Sequence, residues 1–311
     1  MFLRELLFGI STFIPFAEKI RRSTTGGTND ARYCYSVWLR HLKFYYKHYR
    51  RIPKSVAELG PGESLGIGLA ALLTGVEKYT GLDIVDYHVN EKNYEILEEL
   101  INLFRQKENI PDDREFPQLK PKLTSYEFPQ EILKNSILKN SLSIRKIEKI
   151  KNNLNCNNVN SLINYHTPWY KNDIIEENSV DLLYSQAVLE HVDDLNLTYN
   201  SMKKWLKSNG VVSHQIDFRS HRITKKWNGH WQIPNFLWKL IRGRRKFLIN
   251  RFPYSEHQSL LKKHKFKIID YQKVFTTNNS ISKQKLAKEF KSISDEDFKT
   301  SGIYLMASLN D

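Results

Sequence analysis

The chain holds little cysteine and no long apolar run. Its 311 residues include two cysteines, Cys34 and Cys156. So few and so far apart, they form neither a disulfide framework nor a metal-binding spacing, and the chain reads as one for a reducing compartment. No apolar run reaches the roughly 18–20 residues needed to cross a bilayer. Arg4 and Glu5 lead into an apolar stretch without a small-residue cleavage site, so no secretory leader is expected. No Gly-Lys-Ser/Thr follows a glycine-rich turn, which excludes a Walker phosphate loop. No internal repeat is visible.

The composition is that of a folded protein: 40% hydrophobic, 12% aromatic and 26% charged. At this length it supports one large domain, or one domain with appendages. The net charge of +14 suggests an anionic partner, whether nucleic acid, a membrane surface or a phosphorylated substrate. That total conceals a partition: +8 over residues 1–55, −9 over 56–200, +18 over 201–291 and −3 over 292–311. Lysine outnumbers arginine 32 to 16, and a coding bias toward Lys and Asn accounts for part of the excess.

Residues 1–20 are apolar with scattered charges. They fit a short helix lying on a membrane or partner, or an arm packed on the domain, the simpler of the two. Thr28-Asn29-Asp30 supplies cap residues for a helix ARYCYSVWLRHLKFYYKHY, whose aromatic stripe suits core packing. From residue 55 the pattern becomes strand SVAEL, a Gly-rich turn, helix LGIGLAALLTG and strand KYTGLDIV, a unit typical of parallel sheets. Residues 89–107 read as helix. Residues 108–160 are polar and weakly periodic, with helix over 131–151, and read as an insertion or mobile cover. SLINYH (161–166) and SVDLLYSQ (179–186) read as strands. Helix LNLTYNSMKKWLK is expected to end at Asn209-Gly210, before strand VVSHQIDF. Residues 219–252 are basic and aromatic, a pattern in which tryptophan rings stack on bases or sugars beside Arg and Lys contacts to anionic groups. PYSEHQSLLKKHK is a last helix, followed by two antiparallel closing strands.

The turn Glu58-Leu59-Gly60-Pro61-Gly62-Glu63-Ser64 lies between a strand and a helix, where glycines allow close approach of a ligand. Its spacing is wrong for a dinucleotide fingerprint, and Glu58 and Glu63 disfavour a polyphosphate. The acid suits a cationic or amine-bearing ligand. Strand, acid, Gly-x-Gly and a second strand ending in Asp83 resemble the class I S-adenosylmethionine-dependent methyltransferases. VDLLYSQAVLEHVDDL resembles their fourth-strand segment, and MKKWLKSNGVVSHQIDF their following helix, turn and fifth strand. RYCYSVWLRHL upstream and the segment from Asn250 to Ser255 resemble the branch associated with cell-surface glycan synthesis.

The resemblance implies an α/β fold, a doubly wound, mostly parallel seven-stranded Rossmann-like sheet. An N-terminal helical cover spans 1–54 and the methyltransferase domain 55–311, with insertions at about 108–160 and 219–252. It implies S-adenosyl-L-methionine as cofactor. Glu58 would face the methionine amine. Gly60, Pro61 and Gly62 would approach the cofactor backbone-first, Asp83 would accept the ribose hydroxyls, and Ser185 and Gln186 would sit beside the methionine end. Ser64 stands where the family has a third glycine, and Asp86 rivals Asp83.

A sulfonium methyl is already electrophilic, so catalysis requires alignment and, for a hydroxyl acceptor, a base. His214, His221 and His191 are the candidates, with Asp217 orienting an imidazole; Glu190 lies nearby. Side-chain alternation allows His214 to pair with Asp217 only if the strand bends. No ligand spacing demands a metal, and none is expected. Ser185-Gln186-Ala187-Val188 lacks the tetrapeptide of adenine amino-methylation, and no Pro-Cys nucleophile is present. The expected acceptor is a small molecule or glycan precursor, O-methylated, anionic or carrier-linked, with peripheral membrane contact. A cytoplasmic place, at most peripheral to the inner face of the membrane, follows from this. An N- or RNA methyltransferase and a non-catalytic binding protein are the alternatives. Nucleic acid is disfavoured, because the acidic middle suits a sulfonium cation while the positive charge lies on the arm and the acceptor side.

Overall fold

A computed structural model describes residues 2–14, 27–86, 91–154, 161–170 and 174–309. Cys156 lies outside them. The elements in chain order are α1 (Phe2–Ser11), α2 (Ala31–Tyr49), β1 (Ser55–Leu59), α3 (Gly66–Leu72), β2 (Lys78–Leu82), α4 (Lys92–Gln106), α5 (Asn135–Ser141), α6 (Ile144–Leu154), β3 (Ile163–His166), β4 (Val180–Gln186), α7 (Leu195–Trp205), β5 (Leu206–Asp217), α8 (Asn235–Arg242), α9 (Tyr254–Lys263), β6 (Phe266–Phe275), α10 (Asp295–Lys299) and β7 (Thr300–Leu309). The seven strands form one sheet, ordered β3-β2-β1-β4-β5-β7-β6. Only β7 runs antiparallel to its neighbours, β5 and β6. The strand order reverses between β1 and β4, which both pair in parallel. Ligands bind beyond the strand ends at such a point. This is the expected doubly wound, Rossmann-like methyltransferase fold.

Helix α2 starts where the sequence places it, with the Asp30 carboxylate accepting from the Arg32 and Tyr33 amides at 2.8 and 3.2 Å. Its Tyr35, Trp38, Leu39, Leu42 and Tyr45 are fully buried and join α3, α4 and residues 108–154 over one sheet face. Each such side chain contributes roughly 1.5–3 kcal/mol of burial. Segment 108–126 is packed rather than mobile. The buried Arg40 guanidinium donates to the carbonyls of Pro111 and Pro121 at 3.1 and 2.8 Å. The opposite face is covered by α7 and α9.

Three expectations change. Helix α7 ends at Trp205 and β5 begins at once, with Leu206 already extended. Gly210 therefore lies inside β5, where a Cβ would come within 2.9 Å of the Val180 and Lys207 carbonyls. Helix α9 is not the last, because Ser294 caps α10 through the Asp297 amide. In the basic insertion, Trp227, Trp231 and Trp238 are buried, so these rings form its cores rather than stacking platforms.

Candidate active site

Beyond the ends of β1, β2 and β4 lies a cavity of about 630 Å³. The Gly60-Pro61-Gly62 turn forms one wall. Gly60 and Gly62 have φ of +70° and +76°, where side chains are strained. A Cβ on Gly60 would also meet Val188 at 2.6 Å, so this turn and the turn after β4 touch through the missing side chain.

Asp83 lines the cavity at the end of β2. Its Oδ1 accepts from the Ile84 and Val85 amides at 2.6 and 3.2 Å, and Oδ2 faces the Gly62 amide at 3.4 Å. Burial raises its pKa despite those bonds. Asp86 is exposed and outside the cavity wall. Gln186 lines the cavity too, its amide donating to Gln215 Oε1. That oxygen also accepts from the Lys120 amide at 2.6 Å, so the insertion props the tip of β4.

Other expected residues lie elsewhere. Glu58 is buried beneath the turn and does not line the cavity. The Tyr79 and Tyr184 hydroxyls donate to its Oε2 at 2.7 and 3.2 Å, and burial pushes its pKa up to about 8. Ser185 and His214 hydrogen-bond to each other at 2.8 Å, both wholly buried outside the cavity. Burial pushes the His214 pKa down to about 3. His214 and Asp217 do not pair, as side-chain alternation along β5 requires.

Asp217 pairs instead with Arg219, at 2.6 Å, and with His221, whose Nε2 is 3.3 Å from Asp217 Oδ2. Burial opposes ionisation of Asp217, but the bonds from His221 and Arg219 outweigh it and hold the carboxyl well below its usual range. His221 and His191 both line the cavity, their rings 5.0 Å apart. His191 Nδ1 donates to the Phe247 carbonyl at 2.8 Å, which fixes the tautomer and leaves Nε2 as acceptor. Burial, aided by His221, pushes its pKa down to about 4. Glu190 is buried behind them, its nearer oxygen 4.0 Å from His221 Nε2, and neither oxygen has a hydrogen-bond partner among the described residues. Burial raises its pKa far above the ordinary carboxyl value.

Sequence reasoning missed several wall residues. Thr28 and Tyr33 come from the start of the α2 region, and Trp169 and Tyr170 follow β3. The aromatic pair sits where a parallel strand ends, a positional signal available in the sequence. Ser64 turns its departure from the glycine pattern into a tie, donating to the Thr28 carbonyl.

A family described as methyltransferase domain matches residues 133–213, from the middle of the first insertion, just before α5, into β5. No curated protein sequence matches the chain. Solved structures similar to it include a SAM-dependent methyltransferase of Methanosarcina mazei, 14% identical over 86% of this chain and 98% of that one, TM-score 0.44. Another, from Mesorhizobium loti, is 12% identical over 83% and 91%, TM-score 0.41. Haemonchus contortus phosphoethanolamine N-methyltransferase 2, solved with S-adenosylmethionine, is 11% identical over 88% and 53%, TM-score 0.43. These likenesses are too distant to carry a substrate. The domain match spans 81 of the 311 residues and, with the fold, points to methyl transfer.

Proposed function

We propose that the protein transfers the methyl group of S-adenosylmethionine to a hydroxyl of a sugar, most simply on an anionic or carrier-linked glycan precursor. The observation that carries this reading is the His221–Asp217 pair on the wall of the cavity that also holds the Gly60-Pro61-Gly62 turn and Asp83. The residues present fit the cofactor. Gly60 and Gly62 clear space for close backbone approach, and Asp83 offers two carboxylate oxygens to a vicinal diol. Bound there, the cofactor supplies an electrophilic methyl. His221 then accepts the hydroxyl proton, and Asp217 balances the imidazolium that forms. His191, held neutral by burial, packs against His221. Lys246, on the same wall, is the cation for an acidic or phosphorylated acceptor. A seat at the inner face of a membrane belongs to this reading, because carrier-linked saccharides are made there.

Calorimetry with S-adenosylmethionine and label transfer to a panel of sugars, sugar nucleotides and lipid-linked saccharides test it. Asp83→Asn should weaken cofactor binding about tenfold or more, the scale of a hydrogen bond to a charged group. His221→Ala should leave cofactor affinity intact and lower kcat by about 100- to 10,000-fold. Full activity in His221→Ala removes the assigned base, and an absence of cofactor binding removes the whole reading. A tight, salt-sensitive RNA complex would favour an RNA acceptor instead.

A further inference from the structure

Helix α1 has two apolar faces, and only one is covered. Inward, Gly9 sits against the carbonyls of Leu240 and Ile241, so close that a Cβ would lie 2.1–2.2 Å from them. Leu6 packs beside it on the small core of the insertion. Outward, Leu3, Leu7, Ile10 and Ile14 recur at helical spacing, with Phe13 alongside. Next to them on α8 stand Phe236 and Leu240. All seven are between 41% and 66% exposed. An arm that only packed on its domain would present polar residues to water. Contiguous apolar surface of this kind marks an interaction site.

The charge around the patch indicates what covers it. Residues 2–14 and 235–249 contain Arg4, Lys239, Arg242, Arg244, Arg245 and Lys246 against a single acid, Glu5. Glu5 is taken by Arg245 at 2.7 Å; from neighbouring elements Asp193 pairs with Arg242 at 2.6 Å and Glu289 accepts from the Asn235 amide at 2.8 Å. Arg4, Lys239, Arg244 and Lys246 are exposed. An apolar stripe flanked by cations matches a bilayer interface with anionic lipid. No helix among the described residues is long and apolar enough to cross a membrane. At ten residues α1 is about 15 Å long, half the hydrocarbon thickness, so it lies in the interface.

We propose that the α1–α8 face docks the protein on an anionic membrane surface. The contact is coupled to the candidate active site through the loop after α8. Lys246 and Phe247 line the cavity, and the Phe247 carbonyl holds His191. Docking therefore sets the cavity mouth near the headgroups, where an acceptor joined to a lipid diphosphate carrier would be presented. That substrate class rests on the methyl-transfer reading above; the docking itself does not.

Vesicle co-sedimentation of the full chain tests the docking. Vesicles of phosphatidylglycerol in phosphatidylcholine should retain the protein at least tenfold better than phosphatidylcholine alone, and high salt should abolish the difference. Leu7→Glu combined with Ile10→Glu should reduce binding tenfold or more, and Arg244→Glu should reduce it on anionic vesicles only. Ile144→Glu, at an exposed apolar residue on α6, should leave it unchanged. Unaltered S-adenosylmethionine affinity in the double variant shows that it remains folded. Wild-type protein that ignores anionic vesicles, or a double variant that binds like wild type, overturns the proposal. So does a dimer in light scattering that the double variant dissolves, which assigns the face to a second copy. Vesicle binding without cofactor binding would leave the docking standing and remove the methyltransferase reading.

Discussion

His221 has a φ of 45° and its neighbour Arg222 one of 66°, both in the left-handed region. A side chain there costs roughly 1 kcal/mol or more. Ala187, at the tip of β4, shares that conformation at 54°. Strain on two lips of one cavity fits a site held for a task. Glu190, His191 and His221 also offer ligand atoms within 4.8 Å of one another, so the same side chains could grip a divalent cation. Proton chemistry and metal chemistry separate in one experiment. With His221 as base, dialysis against EDTA leaves methyl transfer unchanged, and Glu190→Gln keeps the wild-type rate. Activity lost on chelation and regained with Zn2+ or Mn2+ would hand the imidazoles to a metal. Glu58 makes a second test at this scale. Since it accepts from Tyr79 and Tyr184 instead of facing the cavity, Glu58→Gln should bind S-adenosylmethionine as wild type does. A tenfold loss in calorimetry would show that the carboxylate reaches the ligand after all.

The element that delivers His191 and Glu190 is the short turn Leu189–His191 after β4, and Asn250 clamps it. Its side-chain amide donates to the Leu189 and Val192 carbonyls at 2.7 and 2.8 Å, and its own amide donates to the Glu190 carbonyl at 2.7 Å. Asn250→Ala removes the two bonds its side chain donates and the one its Oδ1 accepts from the Phe252 amide at 3.0 Å, and should cost about 3 kcal/mol in chemical denaturation. It should lower kcat while leaving cofactor affinity unchanged, since Asp83 and the Gly turn stand on other strands. Affinity that falls in step with kcat would show that the clamp supports the whole cavity. The strands were legible because buried parallel strands are near-continuous apolar runs, as in SVAEL and VDLLYSQ. The end of α7 was not, because Asn209-Gly210 is a helix-stop pattern used here inside β5, where tight packing against Val180 needs the glycine. At the site, motif position named Glu58 and His214, yet side-chain alternation sends both into the packed faces. Asp217, the last residue of β5, and the loop residue His221 meet because the chain turns after the strand, a contact no strand periodicity encodes.

At the scale of the whole molecule, buried titratable groups of two kinds oppose each other. His41, His214, His230 and His257 are almost wholly buried. Burial pushes the His41 pKa down to about 4 and the other three to about 3. The unfolded chain, with histidine near 6.5, binds more protons than the folded one as pH falls from about 6.5 toward 4, so these four groups cost stability in that window. Each approaches 1.4 kcal/mol per pH unit, roughly the energy of one pKa unit. Glu58, raised to about 8, and Glu190, raised well above the carboxyl range, act with the reverse sign. Each keeps a proton that the unfolded chain has released above about pH 4.5, so each costs stability as pH rises. His191, also lowered to about 4, makes a fifth, and the slopes cancel where about two of the five unfolded histidines are protonated against two carboxyls, near pH 6.7. The ligand-free protein should therefore be most stable at about pH 6–7 and lose stability on both sides. Guanidinium unfolding from pH 5 to 8.5 measures this curve, and Glu58→Gln should flatten its alkaline limb while sparing the acid limb. Stability that climbs steadily through pH 8 would mean that Glu58 and Glu190 ionise within the fold.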